Sequence, residues 1–282
     1  MNPPDSEAPG IVADSNGPAL ADQLQETWDA VSDLCTGLRP EQWALPTDCP
    51  GWTVADQVAH IAGTEAMLAG RPAPPDPVGE LPAHVRNEIG RANEAWLAHF
   101  RALGTDRLVA DFRELAAQRL ASLRSMSEEA FDAPSWTPVG DATYRRFMQI
   151  RVFDCWTHEQ DVRAALGRPG HLDGAAAEQS VDEVVRALGY LVGKRAGAPD
   201  GSSVRLELTG PVQRTVLVAV EGRAQVVGHL PGPPTTTVRM PSDVFMRIAC
   251  GRSPSSDHGA AIAVDGDSAL GGRLVANLAF TI

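Results

Sequence analysis

The chain has 282 residues, 43% hydrophobic and 21% charged, the balance of a soluble globular protein with room for one large domain or two ordinary ones. Its formal net charge is −12, from 36 acidic and 24 basic residues, and no basic stripe stands out, which argues against a nucleic-acid surface. The four cysteines (Cys35, Cys49, Cys155 and Cys250) make no CxxC pair, no run approaches the roughly 18 apolar residues of a membrane span, and the start lacks a secretory signal; a cytoplasmic protein without disulfides or membrane contact is expected.

Residues 1–18 are rich in Pro, Gly, Ser, Asn and Asp and have no periodicity, so they read as a disordered tail. From Ala19 to about Leu38, the apolar positions Leu20, Leu24, Trp28, Val31 and Cys35 recur at helical spacing. A loop broken by Pro46 and Pro50 follows. Thr53 or Trp52 then opens a second helix, Thr53 being able to cap it with Asp56 three residues on, and Val54, Val58, Ile61 and Met67 lie along it; His60 lies inside. Beyond a Pro-rich loop from Gly70 to Pro82, helices are expected over about His84–Leu103 and Thr105–Met126. Ser127–Thr143 reads as irregular. A fifth helix covers about Tyr144–Leu166, and Gly167 with Pro169 stops it. One more helix is expected from about Gly174 to Ala196.

The pattern then turns to strands: Val204–Leu208, Thr215–Val220, Ala224–Val227 and Thr236–Met240. A short helix fits Ser242–Ala249 and a last strand Ala261–Val264. Asp267 caps a terminal helix ending near Ala279. The expected organisation is an all-α domain over residues 19–172 and a smaller α+β domain with a mostly antiparallel sheet over 173–282.

Three residues stand out as candidate metal ligands. Asp154 and His158 are four apart and share a helix face, and His60 comes from another helix. Two imidazoles and a carboxylate can hold a divalent metal with a position left open, as a catalytic site requires. The plain alternative is a structural Asp–His pair and a satisfied, partly buried histidine. The apolar neighbours favour inward positions, where titratable groups need partners: Val58, Ala59 and Ile61 flank His60, and Val152, Phe153 and Trp156 flank the pair.

Cys155 points about 100° away from Asp154 around the helix and reads as core. Cys49, just ahead of a helix N-terminus, is either a nucleophile or an ordinary loop cysteine. Asp161 either orients the His158 ring or pairs with Arg163 or Arg151. His84, His99, His171, His229 and His258 read as solvated. GxSxG, Walker-type, HExxH and strand–GxGxxG–helix signatures are absent.

The stretch Asp48-Cys-Pro-Gly-Trp-Thr-Val-Ala-Asp-Gln-Val-Ala-His60 resembles the metal-binding domain of mycothiol-dependent maleylpyruvate isomerases, within the DinB-like four-helix-bundle superfamily. The likeness continues at Asn87–Asn93 and is strongest over Arg151–Gly167. The C-terminal part, closing on Gly271–Phe280, is similar to the SCP2-like second domain of that family. The resemblance implies a divalent metal, usually zinc, on His60, Asp154 and His158, and mycothiol as thiol cosubstrate. It also implies an arginine from the second domain, with Arg252, Arg247 and Arg273 as candidates. The isomerases carry Glu where this chain has Asp154, so a metal would sit closer to that helix or be reached through water.

The expected activity is a metal-dependent thiol isomerase or S-transferase acting on a small electrophile. A non-enzymatic metal- or hydrophobic-ligand-binding protein, and a metal-free scaffold, are the competing readings.

Overall fold

A computed structural model describes residues 15–76, 82 and 85–281. Residues 1–14 of the tail expected over 1–18, and His84, lie outside these. The chain divides into two compact units, one over Ser15–His171 and one containing Leu172–Ile282. No helix among the described residues is long and apolar enough to cross a membrane.

The first unit is helical. Helix α1 spans Gly17–Leu34, so Gly17 and Pro18 belong to the helix and not to the tail. Asn16 caps it by accepting from the Ala19 amide, and proline sits where its missing N–H costs nothing. Helix α1 stops short of the expected Leu38, because Gly37 turns the chain with φ +70°. The one-turn helix α2 (Pro40–Trp43) was hidden by its length.

Helix α3 (Val54–Leu68) starts where Thr53 and Asp56 form a capping box. The Thr53 hydroxyl accepts from the Asp56 amide, and the Asp56 carboxylate accepts from the Thr53 amide at 2.9 Å. Helices α4 (Glu88–Leu103) and α5 (Thr105–Ser125) follow, then the short α6 (Glu128–Phe131). The stretch read as irregular holds an antiparallel hairpin, β1 (Pro134–Thr137) and β2 (Gly140–Thr143). Four-residue strands with Pro134 and Pro138 carry too little alternation to announce themselves. Helix α7 (Tyr144–Leu166) ends on Gly167 in the left-handed region.

Helix α1 packs on α5 and α7, and α3 packs on α4, α5 and α7. Their shared core holds Leu20, Leu24, Trp28, Val58, Ile61, Leu97, Phe100, Phe112, Leu115, Val152 and Trp156, all under one-tenth exposed. Burying each such side chain is worth about 1.5–3 kcal/mol.

The second unit opens with α8 (Ala175–Arg186). The single helix expected to Ala196 is broken after Arg186 into α9 (Leu188–Tyr190) and a π-turn over Leu191–Arg195. Gly189 and Gly193 lie against Ala224 there, and a Cβ at Gly189 would fall 2.9 Å from the Ala224 carbonyl oxygen. Strands β3 (Ser203–Thr209), β4 (Arg214–Glu221), β5 (Arg223–Val227), β6 (Thr236–Pro241) and β7 (Ala263–Gly266) form a sheet in the order β5-β4-β3-β6-β7. All pairs are antiparallel except β3 with β6. Helices α10 (Ser242–Ala249) and α11 (Ser268–Ala276) pack on it, α11 ending before the expected Ala279. Asp267 caps α11 as expected.

Of the histidines read as solvated, His99 is exposed as expected, while His258 and His171 are held by neighbours. The His99 ring lies edge-on to Trp96 and Phe100. His258 is within 2.6 Å of the Ser253 hydroxyl. His171 is held on both ring nitrogens: Nδ1 lies 2.7 Å from the Glu159 carboxylate of α7, and Nε2 lies 2.7 Å from Glu26 of α1. The hydrogen bond to Glu159 raises its pKa above the ordinary histidine value; burial opposes this, and Glu26 adds to it.

A raised folded pKa means that this tether contributes fully below the ordinary value of about 6.5 and is lost as pH climbs through the folded value. His171→Ala should therefore lower Tm more at about pH 6 than at about pH 9; equal losses in thermal melts at both would refute the tether. Thr53→Ala removes the α3 cap and should cost about 1 kcal/mol in urea unfolding, with an unchanged m value.

Candidate metal centre

His60 is on α3 and Asp154 and His158 are one turn apart on α7, so the packing of these two helices brings the three together. One donor atom from each lies within 4.8 Å of the others. His60 Nε2 is 3.2 Å from Asp154 Oδ2 and 3.4 Å from Oδ1, and His158 Nε2 is 3.4 Å from Oδ1. The two imidazole centroids are 4.6 Å apart. Both rings thus turn Nε2 toward one carboxylate, and that carboxylate, about one-quarter exposed, marks the open side.

The other nitrogen of His158 fixes its tautomer. Nδ1 sits 2.5 Å from Gln57 Oε1 and 3.3 Å from Asp161 Oδ2. The Gln57 amide is oriented by donating to the Thr47 hydroxyl at 2.7 Å. Both neighbours of Nδ1 accept, so Nδ1 carries a hydrogen and Nε2 is the nitrogen left to meet Asp154 or a cation. Of the two readings of Asp161, the ring-orienting one matches this geometry: Arg163 pairs with Glu159, and Arg151 with Glu65 and Asp154. His60 Nδ1 is buried without a hydrogen-bond partner, so only its Nε2 side fixes that ring.

Burial pushes the His60 imidazole below its ordinary pKa, against the pull of Asp154. Burial would raise the Asp154 carboxyl, but the cationic forms of His60, Arg151 and His158 outweigh it and hold Asp154 well below the usual carboxylate range. Burial also works against charge on His158, yet Asp154, with hydrogen bonds to Asp154, Asp161 and Cys49, carries it well above the usual histidine range. Without a cation, a neutral imidazole and a protonated one therefore flank an ionised carboxylate, and a divalent cation would bind by displacing the Nε2 proton of His158.

Cys155 is fully buried, and burial pushes its thiol up to about 12, as a core cysteine requires. Cys49 is half-buried, with Sγ 3.4 Å from Asp161 Oδ2, and joins His158 and Asp161 in a second cluster of donors. It comes from the turn Cys49–Trp52, closed by the Trp52 amide on the Cys49 carbonyl. Pro50 and Gly51, the latter at φ +80°, suit that turn. Arg252, Arg247 and Arg273 lie in the second unit. Arg252 donates to the Cys250 carbonyl at 2.7 Å and Arg273 to that of Ala196 at 3.0 Å.

Several site residues escaped the sequence reading. Trp52 lies over both imidazoles, with centroids at 5.2 Å from His60 and 5.8 Å from His158, and its indole N–H donates to Glu94. Gln57 is three residues before His60 on α3, a spacing that could have flagged it. Glu65 and Arg151 are buried charges whose pairing joins elements far apart in sequence.

The family model for the mycothiol maleylpyruvate isomerase N-terminal domain matches residues 24–163, and that for the corresponding C-terminal domain matches residues 178–273. The Mycobacterium tuberculosis protein Rv0036c is 28% identical over 155 residues, a match covering 54% of this chain and 57% of that protein. Rv0738 of the same organism is 27% identical over 155 residues, covering 53% of this chain and 68% of its own. The chain thus spans little more than half the length of the first of these relatives. Among solved structures, a mycothiol-dependent maleylpyruvate isomerase superposes with a TM-score of 0.57 at 18% identity, covering 89% of this chain and 94% of that one, a likeness of fold. Carrying both of its domains in order, the chain belongs to the mycothiol-dependent maleylpyruvate isomerase family.

Proposed function

We propose that this protein is a metal-dependent enzyme that uses a low-molecular-weight thiol, mycothiol, to isomerise or transfer to a small electrophilic substrate in the cytoplasm. The observation that carries the reading is the convergence of His60 Nε2, His158 Nε2 and Asp154 at one partly open point. The residues fit a divalent metal by their chemistry. The Nδ1–H of His158 is held by acceptors, as metal-binding imidazoles require, and burial favours the neutral form of His60. Two imidazoles and a carboxylate suit zinc.

A bound divalent cation would stabilise a thiolate near neutral pH. The chain's own residues do the rest. His60, Asp154 and His158 hold the cation, Asp161 and Gln57 keep the His158 ring in its tautomer, and Trp52 shields the imidazoles from water. In the reaction, the cosubstrate's thiolate sulfur would add to one carbon of a carbon–carbon double bond conjugated to a carbonyl, the π pair moving onto that carbonyl as an enolate and leaving a single bond free to rotate. Isomerisation follows when the adduct rotates and the same carbon–sulfur bond breaks, returning the thiol unchanged. Transfer is the outcome when the enolate instead takes a proton from water and the thioether persists.

The competing reading is a metal-free scaffold, and the pairing of Arg151 with Asp154 is what favours it, because the guanidinium already balances the carboxylate. Metal analysis of freshly purified protein separates the two. His158→Ala should remove stoichiometric metal and thiol-dependent turnover together while leaving the helical circular dichroism intact. Full metal content in that variant would overturn the ligand assignment.

A further inference from the structure

Behind Asp154 runs a buried chain of charges that the site itself does not account for. Glu65, on α3 and about 1% exposed, accepts from Arg151 Nη2 at 2.8 Å and from Arg119 Nε at 3.0 Å. Arg119, on α5, also donates to the Tyr144 hydroxyl at 2.7 Å. Arg151, 3% exposed and three residues before Asp154 on α7, reaches past Glu65 to Asp154 Oδ2 with Nη1. Three helices are thus tied through one carboxylate between two guanidinium groups. Buried pairs of this kind are weak sources of stability, and an apolar replacement often serves as well. The chain is better explained by what it does to Asp154. Glu65 neutralises one of the two arginines, and the remaining positive charge falls on Asp154 Oδ2. Oδ1 faces the Nε2 atoms of both His158 and His60 at 3.4 Å, and Oδ2, beside the guanidinium, also lies 3.2 Å from His60 Nε2.

We infer that Arg151, backed by Glu65, is a positioning residue that limits Asp154 to one donating oxygen and so preserves room for a sulfur ligand at the proposed metal centre. The inference rests on the metal-dependent reading above. A carboxylate freed of its guanidinium offers both oxygens to a cation and closes the vacant position. Lysine is a poor substitute, because an ammonium cannot fork across Glu65 and Asp154 as a guanidinium does.

The test uses the full-length protein loaded with cobalt(II), as wild type, Arg151→Met, Arg151→Lys and Glu65→Gln. The readouts are cobalt content, the visible cobalt bands, and the affinity for 2-mercaptoethanol from the sulfur-to-cobalt absorption. The Arg151→Met protein should keep its cobalt, show weaker visible bands from a higher coordination number, and bind the thiol at least about tenfold more weakly. Arg151→Lys and Glu65→Gln should shift the bands in the same direction by less, and they carry the test if Arg151→Met does not fold. Folded variants with the wild-type spectrum and thiol affinity would overturn the inference while leaving the metal reading standing. So would variants that lose cobalt outright, since Arg151 would then build the site instead of limiting one ligand. A wild-type protein that takes up no cobalt removes the metal reading, and this inference with it.

Discussion

Everything about the candidate centre follows from one buried electrostatic problem. Asp154 is an ionised carboxylate set between two imidazoles in the middle of a helical bundle. Such a group is tolerated only when opposite charge and hydrogen bonds compensate for the lost water. The bundle supplies that compensation on two sides. Arg151 meets one oxygen from the same helix, and the Nε2 atoms of His60 and His158 face the carboxylate from the other side. The charge of Arg151 is in turn held by Glu65, and that of Glu65 by Arg119. The result is a graded line of charge from the closed core between α3 and α5 to the partly open edge of α7.

Local structure aims this arrangement. The capping box at Thr53 and Asp56 fixes where α3 begins, and hence the rotation at which Gln57, His60 and Glu65 leave it. Gln57 and His60 lie on the side facing His158, while Glu65 reaches the Arg151 side of the same α7 helix. The turn before α3 does a second job. Its Pro50–Gly51 corner returns the chain so that Trp52 covers the imidazoles and Cys49 reaches Asp161. A single short stretch therefore caps the helix, roofs the site and closes its flank.

The parts legible in the sequence are those set by local rules. Helix α7 was readable because its periodicity is long and Gly167 ends it, and α3 because Thr53 and Asp56 announce its start. The strands of the second unit alternate clearly, as Val204, Leu206 and Leu208 show, each buried. Four-residue elements such as α2, α6 and the β1–β2 hairpin lie below what periodicity resolves. The break after Arg186 depends on how closely Gly189 and Gly193 approach Ala224, which is a tertiary fact. The same holds at the site. Asp154 and His158 share a helix face by spacing alone, but no spacing brings His60 to them. His171 looked solvated because its partners, Glu26 and Glu159, are 145 and 12 residues away.

The aspartate at position 154 can be understood from distances alone. A glutamate at this position would offer the same carboxylate one methylene further out, about 1.5 Å of extra reach. Yet the Asp154 oxygens already stand 3.2–3.4 Å from both imidazole nitrogens, with the rings only 4.6 Å apart. A longer acid on the same backbone would drive its carboxylate into those rings unless α7 withdrew from α3. It would also carry the carboxylate away from the Arg151 guanidinium one turn back, so that the charge of Arg151 would rest on Glu65 alone. Asp154, the spacing of α3 and α7, and the Arg151–Glu65 pair are thus one matched choice.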